Sequence, residues 1–239
     1  MNARPELICL PENTQGCDWV VGDIHGCVGA LFEKLDEVGF NFDVDRLLSV
    51  GDLIDRGPQS YDALHLLYLT PGLDRQWFYA VRGNHEVLML DALLGQDMGC
   101  MRTWLGNGGS WILDEDFDEL RMIARDQVAE MPLAMEVPVN GYRLGVVHAD
   151  VTSGRWGEFS AARDIWSRER FRACPEEGYP LPGRVQGVDA VAVGHTIRPE
   201  VDVRDNVVHL DTGAFLKKGT LTVLPAGDVV AKAINTQSA

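Results

Sequence analysis

Short apolar segments alternate with helix-period stripes along the first half of the chain. Segments rich in Val, Ile and aromatic residues that close on Gly, Asp or His are typical of buried strands ending at a loop. Such segments span residues 19–21, 47–50, 77–81, 144–147 and 190–193. Between the first of them, apolar residues spaced three and four apart predict helices over 28–38 and 63–69. Strands that alternate with helices indicate an α/β fold with a parallel or mixed sheet.

Strand-like segments in the second half lie closer together and are separated by turns. They span residues 133–139, 142–147, 207–210, 220–224 and 229–234. Turn sequences such as Asn140-Gly141 and 226–228 between several of them predict antiparallel hairpins. We therefore predict an α/β fold class in which mixed β-sheets pack as a sandwich flanked by helices. The sequence has no repeat, low-complexity tract or linker, so we predict a single domain over residues 1–239.

An acidic stretch at residues 114–119 offers one candidate for a metal site. It opens a predicted helix over 117–130. Carboxylates in the first turn of a helix interact favourably with the helix dipole. We therefore interpret the stretch as a solvated helix start.

Composition is that of a folded soluble protein. Apolar residues make up 46% of the chain and charged residues 24%, and no apolar run approaches the ~18–20 residues that a membrane span needs. The start of the chain lacks the sustained apolar segment of a signal peptide. The cysteines lie far apart with no CxxC pair, which predicts reduced thiols; they are Cys9, Cys17, Cys27, Cys100 and Cys174. We expect a cytoplasmic protein with no membrane partner.

The charge balance excludes one class of partner. The chain has 36 acidic and 21 basic side chains, for a net charge of −15. Binding to nucleic-acid polymers depends on Lys and Arg that displace counterions from phosphates, and an acidic chain offers no such field. We interpret the excess acid as a solvated surface that keeps the protein soluble.

Chemically active residues fall directly after the predicted strands. The segments are GDIHG at 22–26, GDLIDRG at 51–57, RGNHE at 82–86, VHAD at 147–150 and VGHT at 193–196. In open α/β sheets ligands bind outside the carboxyl ends of strands, so the five segments are expected to share one cleft. They contain four of the six histidines. Of the others, His65 is interpreted as a packing or surface residue, and whether His209 lines the cleft is left open.

These segments offer six metal donors of the carboxylate, amide and imidazole kinds: Asp23, His25, Asp52, Asn84, His148 and His195. Such a set without thiolate suits Mn²⁺, Fe or Zn²⁺. It exceeds what one open catalytic ion needs and suits two ions about 3.5–4 Å apart that share a bridging carboxylate. Asp52 is the predicted bridge.

The five motifs, in this order, resemble the signature of the phosphoprotein phosphatase type of metallophosphoesterase. The segments LGNGG at 105–109 and IWSRER at 165–170 are similar to those of the small bacterial and bacteriophage lambda phosphatases. The resemblance covers about residues 18–225. It implies the calcineurin-like metallophosphoesterase fold.

The resemblance also implies roles for single residues. Asp23, His25 and Asp52 correspond to ligands of a first ion, and Asp52 is shared with the second ion, which Asn84, His148 and His195 complete. His85 corresponds to the general acid and Asp55 to the carboxylate that orients it. The phosphate-binding arginines correspond to Arg56, Arg82 and Arg168. The implied reaction is attack on phosphorus by a metal-bridging hydroxide, with Mn²⁺ favoured over Fe or Zn²⁺.

Three functions are compatible with these motifs. The first is a phosphomonoesterase that acts on phosphoserine and phosphothreonine in proteins, with phosphotyrosine as a further substrate. The second is a hydrolase of dinucleoside polyphosphates such as diadenosine tetraphosphate, and the third is a non-catalytic binding module. The complete ligand set argues against the module. Asp55 and Glu86 favour the phosphatase, because the tetraphosphate hydrolases typically replace these two acids. A phosphoprotein or small phosphoester is the expected partner, and the oligomeric state is not predicted.

Overall fold

The computed structural model describes residues 6–68, 76–95, 98–172 and 182–235, and ten strands in these residues form two sheets. In chain order the strands are β1 (Leu7–Cys9), β2 (Asp18–Val21), β3 (Arg46–Ser49), β4 (Phe78–Ala80), β5 (Ala134–Val139), β6 (Tyr142–Val147), β7 (Ala190–Val193), β8 (Asp202–Arg204), β9 (Val207–His209) and β10 (Val223–Pro225). The larger sheet has the order β1-β5-β6-β7-β9-β8, and the smaller has the order β10-β2-β3-β4. Both sheets mix parallel and antiparallel pairs.

Eight α-helices lie in the same residues. They are α1 (Val28–Glu37), α2 (Ser60–His65), α3 (Asn84–Leu94), α4 (Met98–Gly106), α5 (Phe117–Asp126), α6 (Ala161–Asp164), α7 (Glu169–Arg172) and α8 (Ala226–Asn235). Within the described ranges, none of them is long and apolar enough to cross a membrane.

Three apolar clusters make the layers of a sandwich. The middle cluster joins side chains of the two sheets, such as Val20 and Leu48 from the smaller and Val146 and Val208 from the larger, and it also includes one face of α8. A second cluster packs α1 to α5 on the outer face of the smaller sheet. A third covers the outer face of the larger sheet. The predicted α/β fold, with mixed sheets packed as a sandwich flanked by helices, is confirmed.

Parallel neighbours bring the motif segments together. The strands β2, β3 and β4 are adjacent and parallel, so their carboxyl ends meet at one edge of the smaller sheet. In the larger sheet β6 and β7 are likewise adjacent and parallel. The two edges meet where Gly22 lies directly against the Leu210 backbone, and a Cβ at Gly22 would clash there. All five segments therefore reach the same end of the sandwich.

Several predicted elements are present with shifted ends. The Asn140-Gly141 turn joins β5 to β6 as an antiparallel hairpin, and both residues have the positive φ that such a turn requires. The helix predicted over 117–130 is α5 followed by a short 3₁₀ turn. Asp116 caps α5 by accepting the N–H groups of Asp118 and Glu119, which confirms a helix start at the acidic stretch. Position 69 of the predicted second helix lies outside the described residues.

The strand predicted over 229–234 is wrong, because this segment lies in α8. Its buried residues are Ala226, Val229, Val230 and Ala233, at the three- and four-residue spacing of a helix. The predicted turn at 226–228 is the first turn of that helix. Two adjacent valines suggested a strand, whereas the repeat at 226 and 233 indicates the helix.

Candidate active site

The motif segments leave the strand ends through turns of uncommon backbone conformation. Among the described residues, seven non-glycine residues have positive φ. Five of them lie in the motifs: His25, Asp52, Asp55, Arg56 and His195. Sparsely populated backbone regions of this kind cost of the order of 1–3 kcal/mol per residue and cluster at functional sites. Packing at the meeting point of the two sheets must therefore hold these turns in place.

Two glycines leave room for carboxylates in these turns. A Cβ on Gly194 would clash with Oδ1 of Asp23, and a Cβ on Gly83 would clash with Oδ1 of Asp52. The chain can therefore pass closely behind both carboxylates only where it has no side chain.

Asp52 stands between two groups of metal donors. Its Oδ2 atom lies 3.6 Å from Nε2 of His25, and its Oδ1 atom lies 3.4 Å from Nε2 of His148. Ligand atoms of His25, Asp52 and His85 lie within 4.8 Å of one another, as do those of Asp52, His148 and His195. The two oxygens of one carboxylate face different groups, which is the placement of a bridging ligand.

The remaining donors, Asp23 and Asn84, complete the groups. Oδ2 of Asp23 lies 3.9 Å from Nε2 of His25, and the same carboxylate accepts the backbone N–H of His195 at 3.0 Å. Oδ1 of Asn84 lies 2.9 Å from Nε2 of His148 and 2.8 Å from Nδ1 of His195. The structure thus brings all six predicted donors together.

Hydrogen bonds to the backbone orient two of the imidazoles. Nδ1 of His25 lies 2.9 Å from the Ile54 carbonyl oxygen, and Nδ1 of His148 lies 2.8 Å from that of Val50. A ring that donates Nδ1–H to a carbonyl presents the lone pair of Nε2 for ligation. Both rings turn that Nε2 atom toward Asp52.

Carboxylates are crowded at this end of the sandwich. Burial, followed by the charges of Asp211 and Asp52, raises the pKa of Asp23 well above its usual value. Burial also raises the pKa of Asp211, to about 6. For Asp52, burial acts in the same direction, but the neighbouring histidines, with His148 the strongest, bring the net pKa below its usual value. A bound cation would favour the ionised form of all three.

The imidazoles of the donor set are neutral. Burial lowers the pKa of His25 and of His195 to about 3, and it lowers that of His148. Metal ligands must be neutral imidazoles and ionised carboxylates. The donor set therefore fits divalent ions, and its lack of thiolate matches oxygen- and nitrogen-preferring metals.

His85 and Asp55 form a buried pair beside these donors. Nδ1 of His85 lies 2.7 Å from Oδ2 of Asp55, and its Nε2 lies 3.9 Å from Oδ2 of Asp52. Burial alone would lower the pKa of His85, but the charge of Asp52 and the hydrogen bond that His85 donates to Asp55 raise it above its ordinary value. The pair is built so that one imidazole favours its charged, proton-donating form.

Two tryptophans that sequence reasoning missed fix Asp55 in place. Nε1 of Trp104 donates to Oδ2 of Asp55 at 2.8 Å, and Nε1 of Trp111 donates to Oδ1 at 2.7 Å. The LGNGG segment lies between the two tryptophans in the sequence. The carbonyl oxygen of Gly108 in this segment accepts the backbone N–H of Arg56 at 3.4 Å. The tryptophans flanking that segment were the available signal.

Glu86 is a second missed positioning residue. Its fully buried carboxylate accepts the backbone N–H groups of Asp52, Leu53 and Gly83 at 2.8–2.9 Å. It therefore ties the turn after β3 to the start of α3. Its position as the last residue of the RGNHE motif was the available signal. In the sequence analysis Glu86 served only to favour the phosphatase over the tetraphosphate hydrolase.

Two of the three predicted arginines, Arg56 and Arg168, contact residues of the donor set. Nη1 of Arg56 lies 2.6 Å from Nε2 of His25, and Nη1 of Arg168 donates to the carbonyl oxygen of His195 at 3.4 Å. Arg82 is the buried first residue of the RGNHE motif. Burial, Arg172 and Arg56 lower the pKa of Arg168. The two contacts place guanidinium groups beside His25 and His195.

The remaining histidines contact other side chains, and the thiol of Cys27 lies 3.6 Å from the His25 carbonyl oxygen. His65 is exposed and contacts the ring of Tyr61. His209 is buried with its ring 4.5 Å from that of Phe171, and its two nitrogens have no hydrogen-bond partner among the described residues. The cysteines inside the described ranges are free, and Cys174 lies outside them.

Comparisons with known proteins agree with this geometry. The family model described as calcineurin-like phosphoesterase matches residues 19–199. Serine/threonine-protein phosphatase 2 of Salmonella typhimurium is 34% identical over 208 residues, which are 82% of this chain and 87% of that protein. A symmetrical bis(5'-nucleosyl)-tetraphosphatase of Pseudomonas putida is 45% identical over 74 residues, which are 31% of this chain and 24% of that protein. A protein serine/threonine phosphatase from Saccharomyces cerevisiae has a similar fold, with a TM-score of 0.57 and 15% identity over 87% of this chain and 71% of that chain.

Proposed function

We propose that this chain, which belongs to the calcineurin-like phosphoesterase family, removes phosphate from phosphoserine and phosphothreonine side chains of proteins, with phosphotyrosine as a further substrate. The buried His85–Asp55 pair beside two groups of metal donors carries the proposal. Such a pair can protonate a poor alkoxide leaving group, which is what a phosphoserine ester requires. The similarity to a bacterial protein phosphatase along most of the chain supports the same substrate class.

The proposed site holds two divalent ions. Asp23, His25 and Asp52 would hold the first, and Asp52 with Asn84, His148 and His195 would complete the second. When bound, such ions neutralise phosphate oxygens and lower the pKa of water toward neutrality. We propose Mn²⁺ as the metal, with Fe and Zn²⁺ as the alternatives that this donor set also suits.

Side chains of the protein bind the phosphate and supply the proton. Arg56, Arg82 and Arg168 bind the phosphate oxygens, because a planar guanidinium donates two hydrogen bonds and stays charged. His85 gives the proton on Nε2 to the leaving oxygen. Asp55 holds the other ring nitrogen and stabilises the charged imidazole, and the two indoles keep Asp55 from turning away.

Metal removal tests this proposal directly. The protein is stripped with a chelator and assayed with p-nitrophenyl phosphate and phosphoserine peptides, before and after Mn²⁺ is restored. We expect activity to disappear and to return with the metal. Turnover of the stripped protein equal to that of the loaded protein would overturn the mechanism.

A dinucleoside polyphosphate hydrolase is the second candidate. The local 45% identity to a tetraphosphatase favours it over other classes, but that similarity covers 31% of the chain. One preparation assayed with a phosphopeptide panel and with diadenosine tetraphosphate decides between the two. We expect the higher kcat/KM with a phosphopeptide. The complete donor set argues against a non-catalytic binding module.

The proposed function also indicates the partners and the cellular compartment of the protein. Phosphoproteins or small phosphoesters are the partners, and nucleic-acid polymers are not. The scattered free cysteines favour the cytoplasm, where thiols stay reduced.

A further inference from the structure

The ring of Phe171 is held on three sides. The guanidinium carbon of Arg198 lies 4.7 Å from the ring centroid, and that of Arg204 lies 4.3 Å from it. The ring of His209 meets it edge-on, with centroids 4.5 Å apart. A phenylalanine clasped by two guanidinium groups is uncommon, because energetically significant cation–π contacts occur roughly once per 70–80 residues.

The clasp, which consists of Arg198, Arg204 and His209 around the Phe171 ring, shares a single carboxylate and is tied to the larger sheet. Asp202 on β8 lies 3.2 Å from Nε of Arg198 and 3.3 Å from Nε of Arg204, so one carboxylate holds both cations beside the ring. His209 lies on the neighbouring strand, β9, which pairs with β8. Burial lowers the pKa of His209 to about 3, which favours the neutral form of the ring that contacts Phe171.

Phe171 belongs to the short helix that follows Arg168. The N–H of Phe171 donates to the carbonyl oxygen of Arg168 at 3.0 Å. Nη1 of Arg204 donates to the carbonyl oxygen of Arg170 at 2.9 Å, which adds a backbone tie beside the ring. Among the described residues, the Arg168 side chain makes one long hydrogen bond, 3.4 Å, to the His195 carbonyl oxygen. The orientation of the Arg168 guanidinium therefore depends on the position of its backbone.

We propose that Phe171, clasped by Arg198 and Arg204 over His209, is a positioning residue that fixes Arg168 in the orientation in which it binds the substrate phosphate. The inference rests on the proposed phosphatase function. The clasp anchors the α7 segment to β8 and β9 of the larger sheet, while the Arg168 guanidinium contacts the backbone of His195, one of the metal donors. Loosening the clasp leaves the metal donors and His85 untouched.

The test compares Phe171→Ala with Phe171→Tyr, which keeps the ring. The matched control is Phe159→Ala, which truncates a half-buried phenylalanine packed on Trp156 in the cluster of the same sheet face. Each variant is first checked for its melting temperature and Mn²⁺ binding. We expect Phe171→Ala to raise KM for p-nitrophenyl phosphate about five- to twentyfold with little change in kcat, since two cation–π contacts are lost. Phe171→Tyr and Phe159→Ala should keep the wild-type KM.

A double-mutant cycle separates positioning from general destabilisation. In an Arg168→Ala background, Phe171→Ala should raise KM no further, because the residue it positions is already gone. Equal KM values for wild type and Phe171→Ala, or equal effects of Phe171→Ala with and without Arg168, would overturn the inference. A wild-type protein that turns over no phosphate ester with Mn²⁺ would instead overturn the proposed function.

A low melting temperature of Phe171→Ala would show that this variant is too unstable for the test. Arg198→Gln then replaces it, since this change removes one guanidinium from the ring and leaves the apolar core intact. It should raise KM by about two- to fivefold, as expected for one cation–π contact. An unchanged KM in this variant would also count against the clasp.

Discussion

The carboxylate of Asp55 accepts hydrogen bonds from two indoles and from an imidazole, and it is fully buried. A buried carboxylate is costly unless such donors satisfy it. Three donors on two oxygens fix both its position and the rotation of His85. At the scale of single residues, the candidate site therefore contains a fixed imidazole–carboxylate pair beside Asp52.

Replacing His85 by Asn should reduce turnover of a phosphoserine peptide by about 10²–10⁴-fold, the usual loss for a general acid. The loss should be smaller for p-nitrophenyl phosphate, because its leaving group needs no proton. Stopped assays on both substrates at matched metal loading make the comparison. Equal losses on the two substrates would remove His85 from the acid role.

Much of the candidate site could be predicted at this scale. Asp23, His25 and Asp52 are visible because Gly-flanked turns directly follow apolar strands, and strand ends are easy to locate. Trp104 and Trp111 flank the LGNGG motif, but their contact with Asp55 could not be predicted, because they reach it from helical segments about 50 residues further along the chain. Asp211 also follows a predicted strand, but its place beside Asp23 depends on how the two sheets meet.

At the scale of elements, the apolar pattern identifies most strands and fails at α8. In that helix Val229 and Val230 are both buried, and α8 packs within the cluster between the sheets. A strand with one solvated face would bury only one of two neighbouring residues. In a short segment the two-residue period of a strand and the 3.6-residue period of a helix are nearly indistinguishable. Ala226 and Ala233 show that the period is helical, but alanine is a weak marker of burial.

Val229→Ala and Val230→Ala should each lower the free energy of unfolding by about 1.5–3 kcal/mol, because each removes buried methyl groups and leaves a cavity. Ala231 lies on the exposed face of α8. Ala231→Ser should therefore change the free energy of unfolding by less than about 0.5 kcal/mol. Urea denaturation measures all three. A large effect at only one of the two valines would contradict the helical packing.

At the scale of the whole molecule, a strongly acidic protein has arginines at its candidate site. The net charge is −15, while Arg56 contacts the His25 ring and Arg168 contacts the His195 backbone. Distant surface acids repel an approaching anion through water, whereas the arginines act at contact distance. The overall charge therefore governs encounter rates and not the chemistry. The single-domain organisation over 1–239 stays a prediction.

Added salt should raise kcat/KM for a phosphopeptide with acidic neighbours and lower it for one with basic neighbours. The reason is that a Debye length of about 10 Å at 0.1 M salt screens the surface charge before contact. Initial rates at low substrate, from about 10 to 150 mM salt, measure the effect, and kcat at saturation serves as the control. A fall in kcat/KM for the acidic peptide would contradict it.

The pairing of β2 with β10 also determines when the site can exist. Val21 pairs with Val223, and the Asp23 carboxylate accepts the N–H of a residue 172 positions later. Ribosomes add about 5–20 residues per second, so roughly 10–30 s of synthesis separate these partners. During that interval the first donors have emerged without the strands that complete their cleft. A nascent chain is therefore inert toward phosphoesters until its last strands have been translated, and a premature stop before His195 leaves no partly working enzyme.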